Sequence, residues 1–465
     1  MPDTVVELGK IDWKRVFPWV RLFRVFRTAI DLRMLTLSCV AIVALSVGDA
    51  VFTSLPFAPS SKTASASHAA YQWDRPAADN PVELPAKVVR NPWEVLTGIA
   101  LRWERLLQPA RTVLEPARTI LQPGATWSEK ALAWTRFLWA LCVWSVLGGA
   151  MTRIAAVEQA TDAPMAFSGA LRFSFENFFS YMTAALLPVA GIGAFWLLCT
   201  IGGWIGRIPY VGQPVLGLLW GLELAFGFLM ALILIAAVAG WPLMYATIGV
   251  EASDGFDAFS RSYSYVFTRP WHYLWFAIVA LTYGALVTTF ISLVASLVVY
   301  LSAAGVASGL GASRAAVMLF GSPGSVGGPG LISSEPAATT GFGMYVAGAW
   351  LQFVGLLVAG FAGSFFWTAT TVIYLLLRQV DDATDFREVF PPPREDKDEL
   401  RPFVGVAASD QPVIERPPEG DFAAGPRRVP GVGAPESPRS DPPSSQQVPA
   451  INPTPPTSSP PSPAP

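Results

Sequence analysis

VLGLLWGLELAFGFLMALILIAAVAGW, residues 215–241, is an apolar run broken by a single charge, Glu223. At about 1.5 Å of rise per residue, roughly 20 apolar residues cross a hydrocarbon core of about 30 Å, so a run of this length reads as a spanning helix. Five further runs share its character: 34–55, 134–154, 184–205, 271–300 and 345–377. The expected fold is all-α, a polytopic membrane helix bundle of six transmembrane helices with inner-leaflet amphipathic helices. The last two runs exceed a straight crossing, which calls for tilt or for helix continuing beyond the hydrocarbon.

Hydrophobic residues make up 52% of the chain and charged residues only 14%, an excess that bilayer-facing surface explains. The net charge of −2 hides an asymmetry, because the charges gather in the ends and loops and leave the runs nearly bare. That distribution argues against a nucleic-acid partner. Cys39, Cys142 and Cys199 each fall inside a run, with no CxxC spacing or histidine nearby, so disulfide and zinc readings fail.

Lys10, Lys14, Arg15, Arg21, Arg24, Arg27 and Arg33 crowd before the first run, and the positive-inside rule retains such a cluster in the cytoplasm. The preceding segment is long and aromatic, and the nearest A-x-A, at 64–66, lies well past the run, which reads as an uncleaved anchor. Residues 1–33 then form a cytoplasmic basic amphipathic segment. Residues 34–377 form the membrane domain, with outer loops 56–133, 206–214 and 301–344. Residues 378–465 form a cytoplasmic tail that is rich in proline, too poor in apolar surface to order, and able to recruit a soluble partner.

The first outer loop carries LQPARTV, LEPARTI and LQPGATW in succession over 107–127. Pro109, Pro116 and Pro123 should break it into short turns or kinked helix. Ahead of it, residues 93–107 have the spacing of an amphipathic helix on the outer face, and the whole reads as a plug over the helix ends. Gly321, Gly324, Gly327, Gly328 and Gly330 mark the third outer loop as flexible.

A second repeat links the middle runs. MAFSGALRFSFENFFSY, 165–181, aligns with DAFSRSYSYVFTRPWHY, 257–273, sharing Ala, Phe, Ser, a later Phe and the final Tyr. Glu158 upstream matches Glu251 with a one-residue shift, and Asp162 sits where Asp254 does. Phe167, Ala170, Leu171, Phe175 and Phe178 fall on one helical face, as do Phe259, Tyr263, Val266 and Phe267. Ser168, Arg172 and Glu176, and Ser260, Ser264 and Thr268, lie opposite. Both copies read as interfacial helices, with Asp162 and Asp254 as N-caps and Asp257 placed to help the first turn. A weaker third copy precedes the first run, where Val16, Trp19, Val20, Phe23, Phe26 and Ile30 oppose Lys14, Arg21 and Arg24, a basic face worth about 1 kcal/mol per residue towards anionic lipid. Three units of the same orientation result, a parallel repeat.

Within the second copy, Glu251, Gly255, Asp257, Ala258, Arg261, Ser262, Arg269 and Trp271 resemble the segment shared by the membrane domain of glycerophosphodiester phosphodiesterases and related bacterial multi-pass proteins. The first copy departs from it, with Gly169 and Ala170 in place of Arg-Ser. The resemblance covers one loop and its flanking runs. It implies a membrane architecture in a bacterial cytoplasmic membrane and no particular activity, and the phosphodiesterase barrel itself has no room here.

Catalytic motifs are lacking: there is no GxSxG elbow, no GxxxxGK[ST] loop, no HExxH and no GxGxxG after a strand. His68 and His272, the only histidines, fall on opposite sides of the membrane in this topology. No enzyme, cofactor or metal site is expected. Within the runs the polar candidates are Asp49, Arg136 and Glu223, with Gln352 as a neutral companion, all in the outer third. They could line a cavity open to the outside, or Arg136 could belong to a structural ion pair. The functional expectation is a non-enzymatic membrane scaffold or lipid-interacting bundle, with a transporter or permease-like subunit as the alternative.

Overall fold

Caps in the sequence decide where the helices begin. Asp31 accepts the Arg33 N–H at 2.9 Å and opens α2 (Leu32–Thr53), after a 3-10 turn (Pro18–Arg24) and a short α1 (Val25–Ala29). Thr126 and Glu129 form a capping box that starts α5 (Trp127–Val143), seven residues before the apolar run does. Between them lie α3 (Trp103–Leu106) and α4 (Gln108–Leu121). A π-helical turn (Trp144–Gly148) joins α5 to α6 (Gly149–Thr161). Then follow α7 (Phe167–Glu176), α8 (Phe178–Ile205), α9 (Gly212–Glu251), α10 (Gly255–Thr268), α11 (Pro270–Leu310) and α12 (Ala337–Asp381). The computed structural model describes residues 17–55, 90–93, 103–122, 124–311, 315, 337–390, 404–406 and 412–414.

Six helices among these are long and apolar enough to span a bilayer: Leu32–Thr53, Trp127–Thr161, Phe178–Ile205, Gly212–Glu251, Pro270–Leu310 and Phe342–Asp381. By length and composition this is an integral, multi-pass membrane protein with an all-α bundle. The helices are not equivalent. Of the apolar window of Trp127–Thr161, 83% is buried inside the protein, against 6% for Gly212–Glu251, so the first is central and the second peripheral. With 40 residues, α9 is about 60 Å long, twice the hydrocarbon thickness. Its C-terminal end, from Gly240 to Val250, is almost wholly packed against protein, whereas no residue from 213 to 235 is buried. On α8 burial likewise stops at Pro188, through which the helix runs unbroken.

The packed ends meet around Trp144, Tyr181, Trp241, Tyr245 and Trp367, whose neighbouring rings lie 5.0–5.5 Å apart. The π turn leaves carbonyls outside the regular ladder, and Ser174 of α7 donates towards those of Ser145 and Val146, at 2.7 and 2.6 Å. The sequence repeat is a structural one. α7 folds back on α6 and α10 on α9, with Ala170 and Ser262 inward at equivalent positions and Phe175 and Phe267 outward. The repeat's last tyrosines each donate to a carbonyl of the preceding helix, Tyr181 to Gly149 at 3.4 Å and Tyr273 to Ala239 at 2.8 Å.

Several expectations need correcting. The proline repeat does not break: α4 continues through Pro116, with Pro109 in its first turn, where a missing N–H costs nothing. Nor does it cap the bundle from outside. Pro109, Thr112, Val113 and Pro116 are buried, and Trp144 Nε1 donates to Thr112 Oγ1 at 2.9 Å. Pro123 lies outside the described residues, as do all of 94–102. In the N-terminal segment the buried stripe is Leu22, Val25 and Ala29, while Val20, Phe23 and Ile30 are exposed, because a 3-10 turn repeats every three residues and shifts the phase. Its Val16, Lys14 and neighbours are outside the described residues. Helix occupies both ends of the 301–344 stretch expected as a loop, since α11 runs to Leu310 and α12 starts at Ala337. The tail boundary also moves: α12 continues to Asp381, and residues 382–390 pack on the bundle. In a separate unit from 395 onward, β1 (Val404–Val406) pairs antiparallel with β2 (Pro412–Ile414), Gly405 opposite Val413. The rest of the tail is outside the described residues.

Glycines mark the closest approaches. A Cβ on Gly249 would meet Thr152 Oγ1 at 2.6 Å and the Thr152 backbone carbon at 3.1 Å, whereas one on Gly217 meets nothing within 4 Å. Gly249→Val should destabilise the protein by about 1–3 kcal/mol, seen as a lower melting temperature in detergent, and Gly217→Val should leave it unchanged.

Candidate functional site

Of the four polar residues expected at one depth, the structure joins two. Asp49 of α2 and Arg136 of α5 form an ion pair at 2.6 Å, with side chains 4% and 6% exposed. The helices close around it because Gly48 leaves room for the Trp139 ring, whose Nε1 donates to the Ala44 carbonyl at 3.1 Å. Glu223 instead reaches across the α8–α9 hairpin, where its carboxylate sits against Gly202. Gln352 is exposed on the side of α12, off the stripe of Met344 and Gly355 that faces inward. Helical phase separates what equal depth suggested.

The repeat residues converge at the opposite end. Glu158, closing α6, receives Arg33 at 2.8 Å, and Arg33 also holds Asp31 at 2.5 Å and the Met165 carbonyl. Glu251, closing α9, accepts Tyr374 Oη at 2.6 Å, Arg261 at 2.7 Å and Arg378 at 3.1 Å. Glu158 thus ties α6 to the start of α2, and Glu251 ties α9 to α10 and α12. Asp254 caps α10 as expected, accepting the Asp257 N–H at 2.8 Å, and Asp257 in turn holds Arg261 at 3.0 Å. Burial weakens the Arg261 cation, but the Asp257 hydrogen bond and the Glu251 and Asp257 charges outweigh it and hold the guanidinium above its ordinary pKa. Asp162 is not an N-cap. α7 begins five residues later, and Asp162 instead ends α6 in the left-handed region, φ 58°, with its carboxylate on Arg24. Ser168 and Ser260 are exposed on the outer surfaces of their helices.

Two arginines outside the expected set complete this end. Arg153, fully buried in α6, donates to the Gly249 carbonyl at 3.0 Å and the Phe390 carbonyl at 2.8 Å, with its guanidinium 4.4 Å from the Phe173 ring. Arg378 donates to the carbonyls of Asp385 and Glu388. Residues 382–390 are thereby strapped down. Phe386 is buried under the Arg21 guanidinium at 4.1 Å, the Phe390 N–H donates to the Val250 carbonyl at 2.9 Å, and Tyr265 donates to Asp382. Asp381 pairs with Arg269 at 2.9 Å. Asp381 and Asp382 therefore fasten the end of α12 and the strap to the bundle. A signal for Arg153 was present, since it is a lone cation at the end of the second apolar run, but nothing in the sequence places Phe390 against it.

No protein-family model matches the sequence, no curated protein matches it, and no solved structure matches the fold.

Asp49→Ala should cost about 3–5 kcal/mol, because it strands Arg136 in the interior, while Asp49→Leu with Arg136→Met should lose far less. Unfolding in mild detergent followed by Trp139 fluorescence separates the two. At the other end the Arg33 hydrogen bond holds the Asp31 carboxyl below its usual range, and Arg24 does the same for Asp162. A lowered carboxylate pKa stabilises the fold above the unfolded value and loses that contribution as the pH falls through the folded one. Acidification from about pH 5 to pH 3 should therefore mobilise a nitroxide placed at the exposed Ile30.

Proposed function

We propose that this protein is a non-enzymatic component of a bacterial cytoplasmic membrane, a scaffold or lipid-interacting bundle with both termini in the cytoplasm. The observation that carries this reading is where the charges go. Asp49–Arg136, Glu158–Arg33, Glu251–Arg378 and Asp381–Arg269 join helices to one another, while the long outer faces of α8, α9 and α11 carry exposed leucine, valine, phenylalanine and tryptophan. Ionisable groups spent in this way leave little for catalysis or transport. The basic residues of the N-terminal segment, and the resemblance of the 251–271 segment to bacterial membrane domains, support the compartment and the orientation. The proline-rich tail supplies a cytoplasmic site for a soluble partner.

The transporter alternative requires water around the Asp49–Arg136 pair. In a background lacking Cys39, Cys142 and Cys199, single cysteines at Leu45 and Ala140, one turn from the pair, should resist a membrane-impermeant thiol reagent from both sides. A cysteine at Ser54 should label only from outside and one at Ser168 only from inside. Labelling of position 45 or 140 from outside would replace the scaffold by a water-filled cavity. Exchange of sides at 54 and 168 would overturn the orientation.

A further inference from the structure

The Arg153 guanidinium is fully buried, yet among the described residues its partners are two neutral carbonyl oxygens and an aromatic face, and its Nε has no hydrogen-bond partner. A cation taken out of water is costly without an anion beside it. The surroundings do not supply one. Arg153 holds the Gly249 carbonyl two residues before Glu251, which is shared by Arg261, Arg378 and the Tyr374 hydroxyl, while Asp257 is used by Arg261. Asp382 takes the Tyr265 hydroxyl, so among the described residues each of these carboxylates is spent on another donor, and Arg153, the deepest of the cations, holds none of them.

What covers it is the strap. Residues 385, 388 and 390 present backbone carbonyls to Arg378 and Arg153, acceptors that carry no charge. The segment has no regular secondary structure, and it reverses after α12 through Ala383, a non-glycine residue at φ 54°, a conformation that costs about 1 kcal/mol. Phe390, whose carbonyl Arg153 holds, is itself about half exposed, so a single residue separates that nitrogen from the surface.

We propose that the strap covers a phosphoanion site. A phosphoryl group, carried by a lipid headgroup or free in solution, displaces the 385–390 carbonyls and takes their place on Arg153 and Arg378. The planar donor forks of two arginines suit phosphate oxygens, and charge-assisted hydrogen bonds are about twice as strong as those to a neutral acceptor. Binding would release the strap and, with it, the start of the proline-rich tail. This goes beyond the scaffold reading and does not depend on it.

The test uses the full-length protein in nanodiscs of phosphatidylcholine or phosphatidylglycerol, with and without inorganic phosphate. Tryptic cleavage after Arg387 is followed by mass spectrometry against cleavage after the exposed Arg172 as internal reference. The ratio should rise about threefold where the anion stands at twice its dissociation constant. A rise in phosphatidylglycerol alone identifies the lipid headgroup, and a rise with phosphate in phosphatidylcholine identifies the free anion. Arg153→Gln should abolish the rise. If that variant does not fold, Phe386→Ala, which loosens the strap and leaves both arginines in place, should lower the anion concentration needed. An unchanged ratio in all conditions overturns the site. So does a rise that survives in Arg153→Gln, or an unaltered anion requirement in Phe386→Ala.

Discussion

The Glu251 carboxylate has to be satisfied at the end of a helix that is buried on nearly every side. It draws the Tyr374 hydroxyl and the Arg378 guanidinium from α12 and the Arg261 guanidinium from α10, and so fixes where three helices converge. Truncating one partner of such a group leaves the others charged and desolvated, which makes the cluster all-or-none in practice. Glu158 repeats the logic one unit earlier with Arg33. The bundle is therefore cross-linked between helices by charge, and the aromatic cluster around Trp367 joins the π turn, α8, α9 and α12.

Stability is concentrated at that end. α6, the C-terminal end of α9 and the end of α12 are packed on all faces, and the two main apolar clusters draw on them heavily. The outer stretches of α8 and α9 meet each other and little else of the chain, so the bilayer is the solvent for which their side chains are matched. Glu223 is the exception on this hairpin, and it is accommodated because Gly202 opposite has no side chain. A protein with this division opens most readily along the hairpin and least readily at the charged end.

Much of this was legible in the chain. Hydrophobic run length placed six helices, and each begins before its run, because caps such as Thr126 with Glu129 lie outside the apolar stretch, while the first of them stops at Thr53, two residues short of its run's end. The repeat around Ser168 and Ser260 was visible as aligned residues, and the Asp254 cap as a spacing. The error at Asp162 came from assuming that equal sequence position means equal helical position. The first copy carries Ala163, Pro164 and Met165 before its helix, which turns the same acid into the end of the preceding one. Equal depth likewise grouped Asp49, Arg136, Glu223 and Gln352, but depth says nothing about the direction in which a side chain points.

The sequence by itself determined that the chain is helical, membrane-spanning and built from repeated units, because run length and periodicity are local properties that the bilayer and the backbone read directly. Tertiary structure decided the partners. That Asp49 meets Arg136 while Glu223 meets Gly202, that the proline repeat enters the bundle, and that Arg153 holds the Phe390 carbonyl across more than two hundred residues, all depend on helix rotation and crossing. Those are set by how whole faces pack, and no single stretch of the chain encodes them.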